Sequence, residues 1–342
     1  MSHDRDESAA LHGPKTRACS TLWWTRLLAA VAVLPGCTSF RQTASEVAIR
    51  EPGDRLLSAP QPVQPEARKD LEFAWLAEAA YGKTPHGERA RALLAQARAK
   101  APTGTESASP PCPDSEAALK NARWHPWPGF PDDGLRDRIT HYHLRIEVWY
   151  RQDPPAVAVA FGGTVINNRN DWLSNLRWFL PAHKDEYSET VQEFAPAFAK
   201  EYTNRLHSGG AQWGFLRDAK LYAAGHSLGG GLAQQFAYAL PTTFADLPPV
   251  YQVYAFDPSP VTGFYSVDLA TREKNRKSLS IDRVYERGEI LAIARSFTSL
   301  FVPPSASSPT IRGVRYALFY PNDPISGHSM PHLVCRMYDA SR

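Results

Sequence analysis

Leu221-Tyr222-Ala223-Ala224-Gly225-His226-Ser227-Leu228-Gly229-Gly230-Gly231, continued by the apolar run to Leu240, is the stretch that decides the fold. Leu221 to Ala224 reads as a buried strand and Leu228 to Leu240 as a helix, with a glycine-rich turn between them. A strand that passes through G-x-S-x-G directly into a helix lifts its serine out of the sheet. Glycines two before and two after Ser227 leave room for the strained turn this requires. The N–H groups and dipole of the helix N-terminus then point to where an oxyanion would form, and Leu228 supplies one such donor. A phosphate loop does not fit, because the turn carries neither G-K-[ST] nor G-x-G-x-x-G.

Working outward, Ala156 to Phe161 is a short apolar run bounded by Pro155 and Gly162, as expected of a strand buried on both faces. His143 to Tyr150, Val250 to Phe256, Ile281 to Tyr285 and Arg315 to Tyr320 read as further strands, and Glu189 to Leu206 as a helix. Leu71, Trp75 and Ala79 mark an amphipathic helix ending by Gly82, and Glu88 to Lys100 a second helix. Pro102 to Asp133 reads as a long proline-rich connection. Strands alternating with helices predict an α/β fold: a mostly parallel sheet with helices on both faces.

A serine hydroxyl needs a general base to act as a nucleophile. In folds built on this elbow the acid and then the histidine follow the serine. Only His328 and His332 lie after Ser227. His328 follows a Pro-Ile-Ser-Gly turn and is the favoured base; His332 is the alternative, with a plain helix-face position as its bland reading. His226 is the generic x of the motif and is expected to point away from the base position. For the acid, Glu289 leads, with Asp257 and Glu286 as alternatives. The bland readings are a turn acid before Pro258 for Asp257 and a surface partner of Arg287 for Glu286. A second anion-binding element is expected at Phe161-Gly162-Gly163-Thr164, where the Thr164 N–H and hydroxyl would join the Leu228 N–H.

These motifs together resemble the lipase class 3 family of α/β-hydrolases. The matching stretches are Phe161 to Thr164, Asp171-Trp172-Leu173-Ser174-Asn175-Leu176, Gly225 to Gly230, Phe256-Asp257-Pro258-Ser259-Pro260, Glu289-Ile290-Leu291 and His328. The resemblance spans about residues 67 to 335. It implies a triad of Ser227, His328 and an acid aligned at Glu289, with Thr164 and Leu228 at the oxyanion hole. Two positions depart from it: Gly162 stands where the family often has Arg, and Glu289 where it usually has Asp. Trp172, Leu173, Leu176, Phe179 and Leu180 form an apolar stripe that reads first as a core-packing helix and second as a lipid-facing lid.

The N-terminus reads as an address. Leu27 to Leu34 is an apolar run of eight, matching the roughly 7 to 15 of a signal core and short of the roughly 20 of a spanning helix. It ends in Leu34-Pro35-Gly36-Cys37, which resembles a bacterial lipobox, with proline as a departure. The leader is long, with acidic residues near its start. Cys37 is the expected lipidation site, and Thr38 favours an outer-membrane address in the bacterial envelope, facing the periplasm or the surface. The expected organisation is a signal peptide over 1–36, a tether over 37–66 and one catalytic domain over 67–342.

The 342 residues carry 38 basic and 35 acidic side chains and are 43% hydrophobic. That balance fits an ordinary globular chain and argues against disorder or nucleic-acid binding. Cys19 leaves with the leader, so Cys112 and Cys335 are the remaining thiols, read equally as a bridge or as two buried free thiols. The expected function is a membrane-tethered serine hydrolase of acyl-lipid esters that needs no metal or organic cofactor. The alternatives are an acyltransferase on the same triad and a non-catalytic lipoprotein that keeps the fold.

Overall fold

A computed structural model describes residues 45–82, 92, 112–141, 144–163, 190–289, 291, 305–319 and 326–342, all within the unit Gln42–Arg342. Its strands are β1 (Glu46–Arg50), β2 (Gln61–Pro62), β3 (His125–Pro126), β4 (Arg145–Gln152), β5 (Pro155–Gly162), β6 (Lys220–His226), β7 (Val250–Phe256), β8 (Ser280–Glu286) and β9 (Thr310–Ala317). They form one mixed sheet in the order β2-β1-β9-β8-β7-β6-β5-β4-β3. β5 to β9 run parallel, while β4 pairs antiparallel with β5 and β1 antiparallel with β9. The molecule is therefore an α/β protein with a parallel core and antiparallel margins.

The alternation of side chains in β5 shows why the sheet is covered on both sides. Val157, Val159 and Phe161 enter one hydrophobic cluster, and Ala156, Ala158 and Ala160 the other. Successive side chains of a strand point to opposite faces, so one face of β5 is bulky and the other small. Helix α1 (Gln64–Ala79) lies on the small face, and its own Ala67, Ala74 and Ala77 are buried in the same cluster. Small residues on both elements allow a close approach. Short α2 (Ser115–Asn121) is capped by Asp114, whose side chain accepts the N–H groups of Glu116 and Ala117 at 3.0 and 3.2 Å. Helix α7 (Met330–Ala340) adds Met330, Leu333, Val334 and Met337 to that layer.

On the bulky face, α3 (Asp133–His141) and α4 (Ala195–Ser208) contribute Leu135, Ile139, Phe198 and Tyr202. Helix α5 (Leu228–Ala239) packs on β5 to β7 and is buried along its whole length, which explains its nearly unbroken apolar sequence. Short α6 (Leu269–Asn275) packs against α5. Cys112 and Cys335 form a disulfide with Cα atoms 5.3 Å apart, tying the segment before α2 to α7.

The fold differs from expectation at four places. The tether reading of 37–66 fails for 46–50, because Val47, Ala48 and Ile49 are buried in β1, which pairs with β9 along its full length. The folded part begins at least twenty residues before 67, and α1 already starts at Gln64. The proline-rich connection contains α2 and β3, and the last strand runs over Thr310–Ala317, displaced toward the N-terminus from 315–320. The second helix over 88–100, apart from residue 92, and the stripe over 172–180 lie outside the described residues.

Candidate active site

Ser227 links β6 to α5 with φ 57° and ψ −123°, a left-handed-side conformation that a non-glycine residue adopts only under constraint. The constraint is visible. Its N–H donates to the Phe256 carbonyl at 2.9 Å, and its own carbonyl accepts from Gly230 at 3.0 Å and Ser259 at 2.9 Å. The flanking glycines are required for space: a Cβ on Gly225 would overlap the Gly229 carbonyl, and one on Gly229 would overlap the Phe161 carbonyl at the end of β5. The turn thereby brings the ends of β5, β6 and β7 together around the serine.

His328 closes a short 3-10 turn, Ser326–His328, just before α7. Its Nε2 lies 3.0 Å from Ser227 Oγ and its Nδ1 2.9 Å from Glu289 Oε2. Glu289 follows β8 through Gly288, whose φ of 76° makes the turn. Its Oε2 also accepts the Leu291 N–H at 2.9 Å, which holds the carboxylate toward the imidazole. Ser227, His328 and Glu289 are thus one hydrogen-bonded line. His328 and Glu289 are both buried.

The structure separates the alternatives. His332 sits on α7 with its ring 6.3 Å from that of Phe319, while the imidazole that meets Ser227 Oγ is that of His328. Glu286, fully buried, accepts the Leu318 N–H at 3.0 Å and the Phe319 N–H at 3.3 Å. Burial pushes its pKa up to about 9, with the Asp257 charge adding to the rise and those N–H groups opposing it. It is no surface partner of Arg287. Asp257 is also fully buried, at φ 39°, and its Oδ1 accepts the Glu286 N–H at 3.0 Å. Of the three acids, Glu289 is the one that meets His328.

Two further residues belong to the site. The His226 ring lies 4.9 Å from that of His328. Its Nδ1 is 2.6 Å from the Tyr81 hydroxyl, and its Nε2 is 4.0 Å from Asp257 Oδ2. Sequence reading gave His226 no role and passed over Tyr81, whose one signal is an aromatic residue just past α1 and before Gly82. His226, Asp257 and His328 offer donor atoms within 4.8 Å of one another. The 4.0 Å between His226 and Asp257 exceeds the roughly 3.3 Å between donors on a tetrahedral zinc, so the group is better described as packed polar side chains whose hydrogen bonds run outward, from His226 to Tyr81 and from His328 to Ser227 and Glu289.

Gly162 has a steric explanation. A Cβ there would lie 2.8 Å from the Ala80 carbonyl and 3.0 Å from Arg145 Cβ on β4, so no arginine fits without displacing backbone. Leu228 opens α5 directly after Ser227, which sets its N–H at the elbow. Thr164, Cys37 and residues 171–176 lie outside the described residues.

No protein-family model matches this chain, and no curated protein matches it in sequence. Among solved structures, the native Rhizomucor miehei lipase propeptide complex is a weak neighbour. It has a TM-score of 0.39 and 14% identity, covering 76% of this chain and 68% of that one.

Proposed function

We propose that the protein is a serine hydrolase with the α/β-hydrolase fold, acting on carboxylic esters of acyl lipids from a lipid anchor on the bacterial cell envelope. The observation that carries this reading is the line from Ser227 Oγ to His328 Nε2 at 3.0 Å and from His328 Nδ1 to Glu289 Oε2 at 2.9 Å, set on a strained strand-to-helix turn. A serine, an imidazole and a carboxylate so arranged are equipped for acyl transfer.

In this mechanism Ser227 Oγ attacks the ester carbonyl while His328 Nε2 takes its proton. Glu289 holds the Nδ1–H and stabilises the imidazolium. The Leu228 N–H, and the donors expected at Thr164, receive the oxyanion. Collapse of the tetrahedral intermediate expels the alcohol, which takes the proton from His328. Water then attacks the acyl-enzyme by the same route, regenerating Ser227 and releasing the acid. The envelope address rests on the apolar run and Cys37, and the lipid substrate class on that address and the motif resemblance.

The test measures hydrolysis of short- and long-chain p-nitrophenyl esters and of a phospholipid by the wild type, Ser227→Ala and His328→Ala. Both variants are expected to lose at least about 10³ in kcat. Turnover that survives Ser227→Ala, or a wild type inert toward every ester, would overturn the reading.

A further inference from the structure

Behind Ser227, one phenol joins the end of β5 to the nucleophile turn. The Tyr81 hydroxyl lies 2.6 Å from His226 Nδ1, and the Gly163 N–H donates to the same oxygen. A Cβ on Gly163 would overlap that hydroxyl, and would lie 2.6 Å from the His226 carbonyl oxygen and 3.2 Å from Ser227 Cβ. Gly163 is therefore clasped between the phenol and the nucleophile, with no slack for the end of β5.

A phenol has one proton to give and lone pairs to receive. A Tyr81 proton donated to His226 Nδ1 places the His226 proton on Nε2, the nitrogen 4.0 Å from Asp257 Oδ2. Asp257 Oδ1 in turn accepts the Glu286 N–H at 3.0 Å. The sequence Gly163, Tyr81, His226, Asp257, Glu286 thus crosses the ends of β5, β6, β7 and β8 in sheet order, with Tyr81 supplied from the end of α1. Burial raises the Tyr81 ionisation well above the usual phenol range, so the hydroxyl keeps its proton.

We infer that Tyr81 is a positioning residue for the acyl-transfer reaction proposed above: through the Gly163 N–H it holds the end of β5 at the distance from Ser227 that an oxyanion requires. The inference rests on the serine-hydrolase reading. Oxyanion donors act only when preorganised, and a displacement of about half an ångström already weakens them. The hydroxyl works in the transition state through Gly163 and touches no reacting atom.

Tyr81→Phe tests this, since it keeps the ring packed and removes only the hydroxyl. On p-nitrophenyl butyrate, kcat is expected to fall about 10- to 100-fold with KM within about twofold and the melting temperature within about 3 °C. A boronic acid that forms a tetrahedral adduct on Ser227 should lose affinity in parallel with kcat, as a transition-state analogue does. Wild-type kcat in Tyr81→Phe would overturn the inference, as would a fall in kcat matched by a fall in melting temperature equal to that of Tyr81→Ala. Phosphonylation of Ser227 by a fluorophosphonate, followed by mass spectrometry, reads the same geometry without an ester substrate. A wild type that labels but hydrolyses no ester counts against the proposed function alone; equal labelling rates in wild type and Tyr81→Phe then count against the positioning role.

Discussion

Glu289 Oε2 and His328 Nδ1 lie 2.9 Å apart, and this contact distinguishes Glu289 from two other fully buried carboxylates, Asp257 after β7 and Glu286 at the end of β8. The extra methylene of glutamate relative to aspartate is accommodated because Glu289 leaves β8 through a glycine turn and is held by the Leu291 N–H.

Glu289→Gln should therefore lower kcat by about 10³- to 10⁴-fold, since an amide orients the imidazole wrongly and does not stabilise its charge. Glu286→Gln should change kcat by less than about tenfold, because its partners are backbone N–H groups of Leu318 and Phe319. Steady-state kinetics on one ester decide the matter; the reverse ranking would move the acid to Glu286.

Stability should fall as pH rises. Burial raises Glu286 to about 9, and burial with the Asp282 charge raises Asp70 to about 7, against opposing effects of Lys69 and the Tyr316 hydroxyl. Both groups hold protons in the folded state that the unfolded chain has released above about pH 4.5, so unfolding frees protons across that window. The contribution of Asp70 is lost between about pH 4 and 7, and that of Glu286 between about pH 4.5 and 9. Glu286→Gln should flatten the upper part of the profile and raise the melting temperature at pH 8 relative to pH 5. Denaturation curves over pH 4 to 9 measure this, and a stability that climbs with pH would contradict the assignment.

Cys112→Ser with Cys335→Ser should cost about 2 to 5 kcal/mol of stability. The bridge closes a sequence separation of 223 residues and fastens α7, which begins two residues after His328. Guanidinium unfolding with and without reductant provides the measurement: reductant should move the wild type toward the double variant and leave the variant unchanged.

Placing arginine at Gly162, as the resemblance would suggest, should harm the protein. The new Cβ would meet the Ala80 carbonyl at 2.8 Å, and forcing atoms into packed backbone costs about 1 to 3 kcal/mol. Thermal melting of Gly162→Arg against the wild type checks this. An unchanged or higher melting temperature would mean that the α1 end yields easily.

The parts of this protein that could be read from sequence are those written in contiguous residues. Ser227 and its glycines declare themselves because strand, turn and helix occupy about twenty consecutive positions, and His328 follows because few histidines come after it. The choice among Asp257, Glu286 and Glu289 depends on which carboxylate at the ends of β7 and β8 turns toward His328, and the last two leave the same strand three residues apart with no local sign of that. β1 escaped because five residues are too few to establish alternation; its burial depends on β9, more than 260 positions away. The Tyr81–His226 bond joins residues 145 apart and leaves no periodic trace.

β1 also limits the free chain between the anchor proposed at Cys37 and the folded body. If the lipid sits on Cys37, nine peptide steps separate it from Glu46, the first residue locked against β9. Such a leash spans at most about 30 Å when fully drawn out, whereas a free segment as far as residue 66 would span about 100 Å. Under the proposed function, so short a leash would favour lipids of the membrane that carries the anchor.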